Sequence, residues 1–211
     1  MTTGTVTIGL VREAMGLSTT DTSVTDTVML KLIDSAMRKI NLMHDWPWLH
    51  ATDATWTATT TNQAVYTAAS DLASNWRKTL YIICNDEPLS LLQKQEIIEY
   101  ATQTGQPRFY AAEGSEIILA PKPDAVYTIS HEYIHVPALV TSGSSHHVIY
   151  DWAIDLLVYQ TAVLAARRLR DSELRAEMES ELSQVLTFAR DEVRRTRQLP
   201  RPKHRKDVGW P

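Results

Sequence analysis

Cysteine, glycine and long apolar runs are scarce in this chain, and each scarcity excludes a class of protein. One cysteine, Cys84, stands among 211 residues, so no intrachain disulfide can form. It sits in the apolar run Leu80-Tyr81-Ile82-Ile83-Cys84 and is expected to be a small buried hydrophobe, because a nucleophile would need a neighbouring base. Such sparing use of cysteine fits assembly in the cytosol. The seven glycines are widely separated, and neither G-x-x-x-x-G-K-[ST] nor G-x-S-x-G occurs. A phosphate-cradling loop and a serine nucleophile elbow are therefore missing. No segment approaches the roughly 20 apolar residues that span a bilayer; the longest candidate, Trp152 to Ala166, contains Asp155 and Gln160. The opening Met1-Thr2-Thr3-Gly4-Thr5 has no basic stretch followed by an apolar one, so no signal peptide is expected. No carboxylate pair stands in a context that marks a general acid and base. The expectation is a protein without cofactor or catalytic activity.

What is present is a globular composition, 44% hydrophobic and 22% charged, long enough for one core plus an accessory subdomain. The formal net charge is -4, which argues against a general nucleic-acid binder. The charge is unevenly spread. Arg190 to Pro211 holds eight Lys/Arg against three Asp/Glu, leaving thirteen basic and twenty-two acidic groups in the body. An acidic body with a basic tail suggests that the tail has its own partner, either a different protein or the acidic body of another copy.

The hydrophobic pattern predicts a short helix over residues 6–16. It predicts a second helix from a Thr25 or Asp26 cap, with an apolar stripe at Met29, Ile33, Ala36, Ile40 and Met43,, stopped by Pro47. The tryptophans of Trp46-Pro47-Trp48-Leu49 are expected to pack under the sheet that follows. Alternation over 54–67, then apolar runs at Lys78–Asn85, Leu89–Leu92, Arg108–Ala112, Glu116–Ala120 and Val126–Val136, predict strands. The last three would form an antiparallel meander. A short helix is expected over Gln93–Thr104, with Gly105 closing it. Two long helices follow, His146–Leu169, apolar nearly all round, and Asp171–Gln198, apolar on one face through Leu174, Met178, Leu182, Val185, Ala189 and Val193. The fold class expected is mainly α with a β insertion. Residues 1–50 and 144–198 would form a helical bundle, residues 51–143 a small antiparallel β lobe with a short helix that projects from it, and residues 199–211 an extended docking tail.

Two histidine clusters bear on metal chemistry. His131-Glu132-Tyr133-Ile134-His135 matches H-E-x-x-H, which binds zinc when a helix brings both histidines to one face. The β-branched and aromatic residues before it and Val136-Pro137 after it predict a strand instead, which separates the two histidines by about 13 Å. A zinc peptidase using His131, Glu132 and His135 is the competing reading. His146-His147, with Asp151 four residues beyond His147, more simply marks the start of a helix.

The ordered set of segments resembles the head-to-tail adaptor (connector) proteins of tailed bacteriophages. It runs from the helix leading into Asp45-Trp46-Pro47-Trp48-Leu49, through Trp56, Tyr66, Ser70-Asp71-Leu72 and Glu87-Pro88-Leu89. It continues through Thr104-Gly105-Gln106-Pro107-Arg108-Phe109-Tyr110 and Ile117-Ile118-Leu119-Ala120-Pro121-Lys122-Pro123-Asp124 to the strand with Tyr133 and the helix Tyr150 to Ala166. It departs at Leu72-Ala73, where such proteins often carry proline. The resemblance implies a non-enzymatic protein of the virion neck: a homo-oligomeric, dodecameric ring below the portal, with a tail or nozzle protein beneath. Genome DNA would pass through its channel without sequence-specific binding, and no membrane is involved. It also implies that the segment after the last helix reaches the portal, with Leu199, Pro200, Arg201, Pro202, Lys203, Arg205, Lys206 and Trp210 as docking residues. Another virion tail accessory or completion factor is the nearer alternative. An acidic body around passing DNA would keep the DNA from sticking.

Overall fold

The computed structural model describes residues 3–18, 21–145 and 149–198. The chain divides into two compact units, one of residues 1–48 and 138–211, the other of residues 49–137.

The first unit is helical. Helix α1 (Gly4–Ala14) begins where two of its first backbone N–H groups, which no turn of its own can satisfy, donate to Ser145 O and Gly143 O. Gly4 is required there, since a Cβ would lie 2.9 Å from both Ser142 O and a methyl of Leu30. Helix α2 (Asp26–Met43) buries Met29, Ile33, Ala36 and Ile40 of the stripe read from sequence, and Met37 beside them, whereas Met43, the last position of that stripe, is exposed. Arg12 ties the two helices together, donating to Val24 O and, at 2.7 Å, to the Asp26 carboxylate. A 3₁₀ turn, Asp151–Ala153, opens helix α4 (Ile154–Leu169), and helix α5 (Ser172–Gln198) follows. Arg170 closes α4 in the left-handed region at φ 59°. The Asp171 carboxylate then caps α5 by accepting from the N–H groups of Glu173 and Leu174,. Helix α4 is the hub. It packs on α1, α2 and α5, and it buries Leu156, Leu157, Val158, Ala162, Val163, Ala165 and Ala166, which is why its sequence is apolar around most of its circumference.

The second unit is built on eight strands. β1 (His50–Thr52), β8 (Ile129–His135), β3 (Trp76–Cys84) and β4 (Glu87–Pro88) form one sheet in that spatial order. β2 (Val65–Thr67), β7 (Glu116–Ala120), β6 (Phe109–Glu113) and β5 (Ser90–Leu91) form the other. Both sheets feed one core, to which β3 and β8 give Ile82, Cys84 and Ile129, and β2, β6 and β7 give Tyr66, Tyr110, Ile117 and Leu119. Period-two alternation sends the intervening Phe109, Ala111, Ile118 and Ala120 to the opposite face, where they meet Ile97 and Ala101 of helix α3 (Lys94–Ala101),.

The expected fold class is corrected by this unit. Among the described residues there are five helices and two four-stranded sheets, so the fold is mixed α and β, not a helical bundle carrying a small lobe. The β portion is not wholly antiparallel either, because β5 pairs with β6 in parallel. The expected three-strand meander is also split: β6 and β7 form a hairpin, whereas β8 pairs with β1 and β3 in the other sheet. Most of 54–67 is not strand; only Val65–Thr67 is, with a lone bridge from Ala58 to Thr128. Helix α3 ends at Ala101 with Thr102 as its cap, so Gly105 does not close it. The expected extended tail, 199–211, lies outside the described residues.

Candidate functional site

Two constellations stand out, one in each unit. In the helical unit, Trp46 and Trp48 flank Pro47 at the exit of α2. Both are buried and contact residues of the helical unit. The Trp46 indole N–H donates to Ile40 O at 2.8 Å and that of Trp48 to Asn41 Oδ1 at 3.0 Å, so each ring is pinned to the last turn of α2. The rings stack with centroids 4.8 Å apart and planes 8° from parallel. This pair is the pedestal for a surface. Trp48 meets Tyr150 and Trp152 edge-on at 5.9 and 6.0 Å, an arrangement favoured by the ring quadrupoles. Tyr150 and Trp152 are each 42% exposed, and Phe188 of α5 is 59% exposed. With Pro47, Glu192 and Val193 these three line a groove of about 330 Å³. Large exposed aromatic side chains on a rigid base are the residue types that anchor protein interfaces.

In the β unit, the H-E-x-x-H segment lies in β8, as its β-branched flank predicts. His131 and His135 are held by separate partners. His135 Nδ1 is 3.0 Å from Leu49 O. His131 is fully buried, with Nδ1 at 3.2 Å from Asp53 Oδ2 and Nε2 at 3.1 Å from Thr79 Oγ1. The Asp53 carboxylate also accepts the backbone N–H groups of Thr55 and Trp56 on Oδ1 and that of Ala73 on Oδ2. Burial pushes the Asp53 carboxyl up, but the donors from Ala73, Thr55, Trp56 and His131 outweigh it and hold the group below the usual carboxylate range. Burial pulls His131 below the usual imidazole range, against the opposing pull of Asp53. A neutral imidazole donating from Nδ1 to Asp53 and accepting on Nε2 from the Thr79 hydroxyl satisfies every group. Glu132 is engaged by the Thr52 hydroxyl across the β1–β8 pair. The cluster ties the loop after β1, the loop before β3 and β8 together; it is a structural polar network. No group of three or more His, Cys, Asp or Glu side chains among the described residues is arranged to hold a metal ion.

The other sequence candidates fall as follows. Cys84 is buried, and burial, with Glu87 nearby, raises its thiol to about 11, so it is a core hydrophobe. Asp151 lies in the 3₁₀ turn before α4, while His146 and His147 lie outside the described residues. All eight expected docking residues, Leu199 to Trp210, lie outside them too. The aromatic groove was not read from sequence. Phe188 is one position off the apolar stripe of α5, and that offset was its only local signal. No helix among the described residues is long and apolar enough to cross a membrane.

No curated protein matches the chain significantly. A family match covers nearly the whole of it, both units included: over residues 1–205 the chain belongs to the SU10 adaptor protein family, and so to the phage head-to-tail adaptors.

Proposed function

We propose that copies of this chain assemble into a dodecameric ring at the virion neck, seated below the portal, continuing the DNA channel toward a tail or nozzle protein. The family membership over residues 1–205 carries this reading. The exposed apolar side chains support it, among them Leu42, Leu91 and Phe188, at 77%, 64% and 59% exposure, which is the surface that contacts between copies would cover. The tail 199–211 is the portal-docking arm: its prolines limit the entropy lost on docking, and Arg201, Arg205 and Trp210 are the residue types that dominate interface energies. The acidic body, with nine more acidic than basic groups before residue 190, keeps DNA moving through the channel by repulsion. The protein acts by binding and positioning, in the virion, after assembly in the host cytoplasm.

The test is electron microscopy of the purified chain mixed with the portal of the same virion. Rings stacked on the portal are expected, and deletion of 199–211 should abolish stacking. Stacking that survives the deletion unchanged refutes the docking-arm assignment, and the absence of any ring on the portal refutes the adaptor placement.

A further inference from the structure

The groove between Trp152 and Phe188 has no occupant among the described residues, and its chemistry is selective. Its walls are aromatic and apolar, lined by Tyr150, Trp152, Phe188, Pro47 and Val193, and Glu192 supplies a carboxylate that also lies 3.8 Å from Arg195. The turn carrying Trp152 adds Asp151, and the first turn of α4 adds Asp155, both exposed. Aromatic-lined grooves of this kind take proline-containing extended segments, because such segments are already ordered and their rings stack on flat faces. The neighbouring carboxylates select for a basic one. The chain supplies a segment of that composition. Residues 199–211, Leu-Pro-Arg-Pro-Lys-His-Arg-Lys-Asp-Val-Gly-Trp-Pro, hold four Lys/Arg against one Asp, with three prolines and one tryptophan.

Reach decides which copy of that segment is nearest. Helix α5 ends at Gln198, and the groove is lined by Phe188, Glu192 and Val193 of the same helix. Ten helical residues from Phe188 to Gln198 span about 15 Å. Thirteen residues in an extended proline-rich form span about 40 Å. The segment can therefore turn at Leu199-Pro200, run back along α5 and still bring Trp210 to any point of the groove. A tether this short holds its own end at about millimolar effective concentration, above that of any free partner in dilute solution.

We propose that residues 199–211 dock into the aromatic groove of their own chain, with the Trp210 indole against Trp152 and Phe188. The groove is then a holding site for the tail in the free protein. This inference does not depend on the ring: where the tail is also the portal-docking arm, the portal displaces it from the groove.

The experiment is fluorine NMR of the full chain with its six tryptophans labelled as 5-fluorotryptophan. The Trp210 signal is identified by its loss in Trp210→Phe. Docking is expected to shift that signal away from the position of a free fluoroindole, to the same extent from 20 to 500 µM protein. Phe188→Ala and Glu192→Lys should each return it toward the free position, with the signals of the buried Trp46 and Trp56 unmoved as the check on folding. A Trp210 signal at the free position in the unaltered chain overturns the proposal. A shift that grows with protein concentration makes a second copy the occupant and also overturns it. A shift indifferent to both substitutions places the tail on another surface, with the same consequence. Portal binding has no part in any of these outcomes, so failure here leaves the ring reading to its own test.

Discussion

Replacing Asp53 with alanine removes the acceptor shared by four donors. Two of them, the Thr55 and Ala73 N–H groups, belong to residues that are exposed or half-buried and can turn to water. The other two cannot. The Trp56 N–H and His131 Nδ1–H belong to residues that are 3% and 0% exposed. Each buried donor left unmet costs about 1–3 kcal/mol, so Asp53→Ala should destabilise the β unit by about 4 kcal/mol, within the range for breaking a buried polar pair. In a unit of this size that lowers its melting temperature by about 16–32 °C. Asp53→Asn is the informative control. Its Oδ1 still accepts from Thr55 and Trp56, and its amide can donate to His131 Nδ1 once the imidazole moves its proton to Nε2. The Ala73 N–H is then the one donor facing another donor, and the loss should fall to about 1–2 kcal/mol. Urea unfolding followed by tryptophan fluorescence reads this directly, because the Trp56 ring centre lies 5.5 Å from that of His131. If Asp53→Ala costs less than about 1 kcal/mol, the carboxylate does not organise the loops after β1 and before β3 as the hydrogen bonds indicate.

Three further outcomes can be checked. The native His131 binds a proton less readily than the unfolded chain, whose histidine titrates near ~6.5. The unfolded state therefore holds more protons just below that pH, and stability of the β unit should fall as pH drops from 7 to 5; His131→Gln should flatten that slope. Asp53, also depressed, adds a separate loss at lower pH, beginning below about 4. The Cys84 thiol should stay unmodified by a disulfide-exchange reagent in the native protein at pH 8 and react fully in urea, since it is buried and raised to about 11,. Gly4→Ala should destabilise the helical unit by about 1–3 kcal/mol in thermal unfolding, because its new methyl meets the Ser142 carbonyl at 2.9 Å, where backbone must move,.

How much was legible varied with the range of the forces involved. Helix α2 could be read almost to the residue, since its stripe at Met29, Ile33, Ala36 and Ile40 repeats over about three turns and all four are buried. The β6–β7 hairpin was legible for a similar reason: Gly114, at φ 61°, supplies the turn between two alternating runs. Strands β1 and β4 were not, because two or three residues carry no measurable period and exist only through their pairing partners,. Pro88 even argues against a strand, yet β4 lies at a sheet edge, where a missing N–H is tolerated,. Undercounting these strands made the β unit look like a small lobe. The zinc-like motif illustrates the opposite case: its β-branched flank alone placed His131 in a strand, but no local feature tied it to Asp53, seventy-eight residues away.

Sequence by itself determined the helix periods, the apolar character of α4, the split between acidic body and basic tail, and the resemblance to phage adaptors. Each is a local or additive property of the chain, readable without knowing what touches what. Tertiary structure alone decided that the two sheets share one core, that the Asp53 charge is compensated by Ala73 and His131, and that Tyr150, Trp152 and Phe188 converge on one groove. Those facts join residues dozens of positions apart, and only the closed packing of the helices and sheets brings them within contact distance.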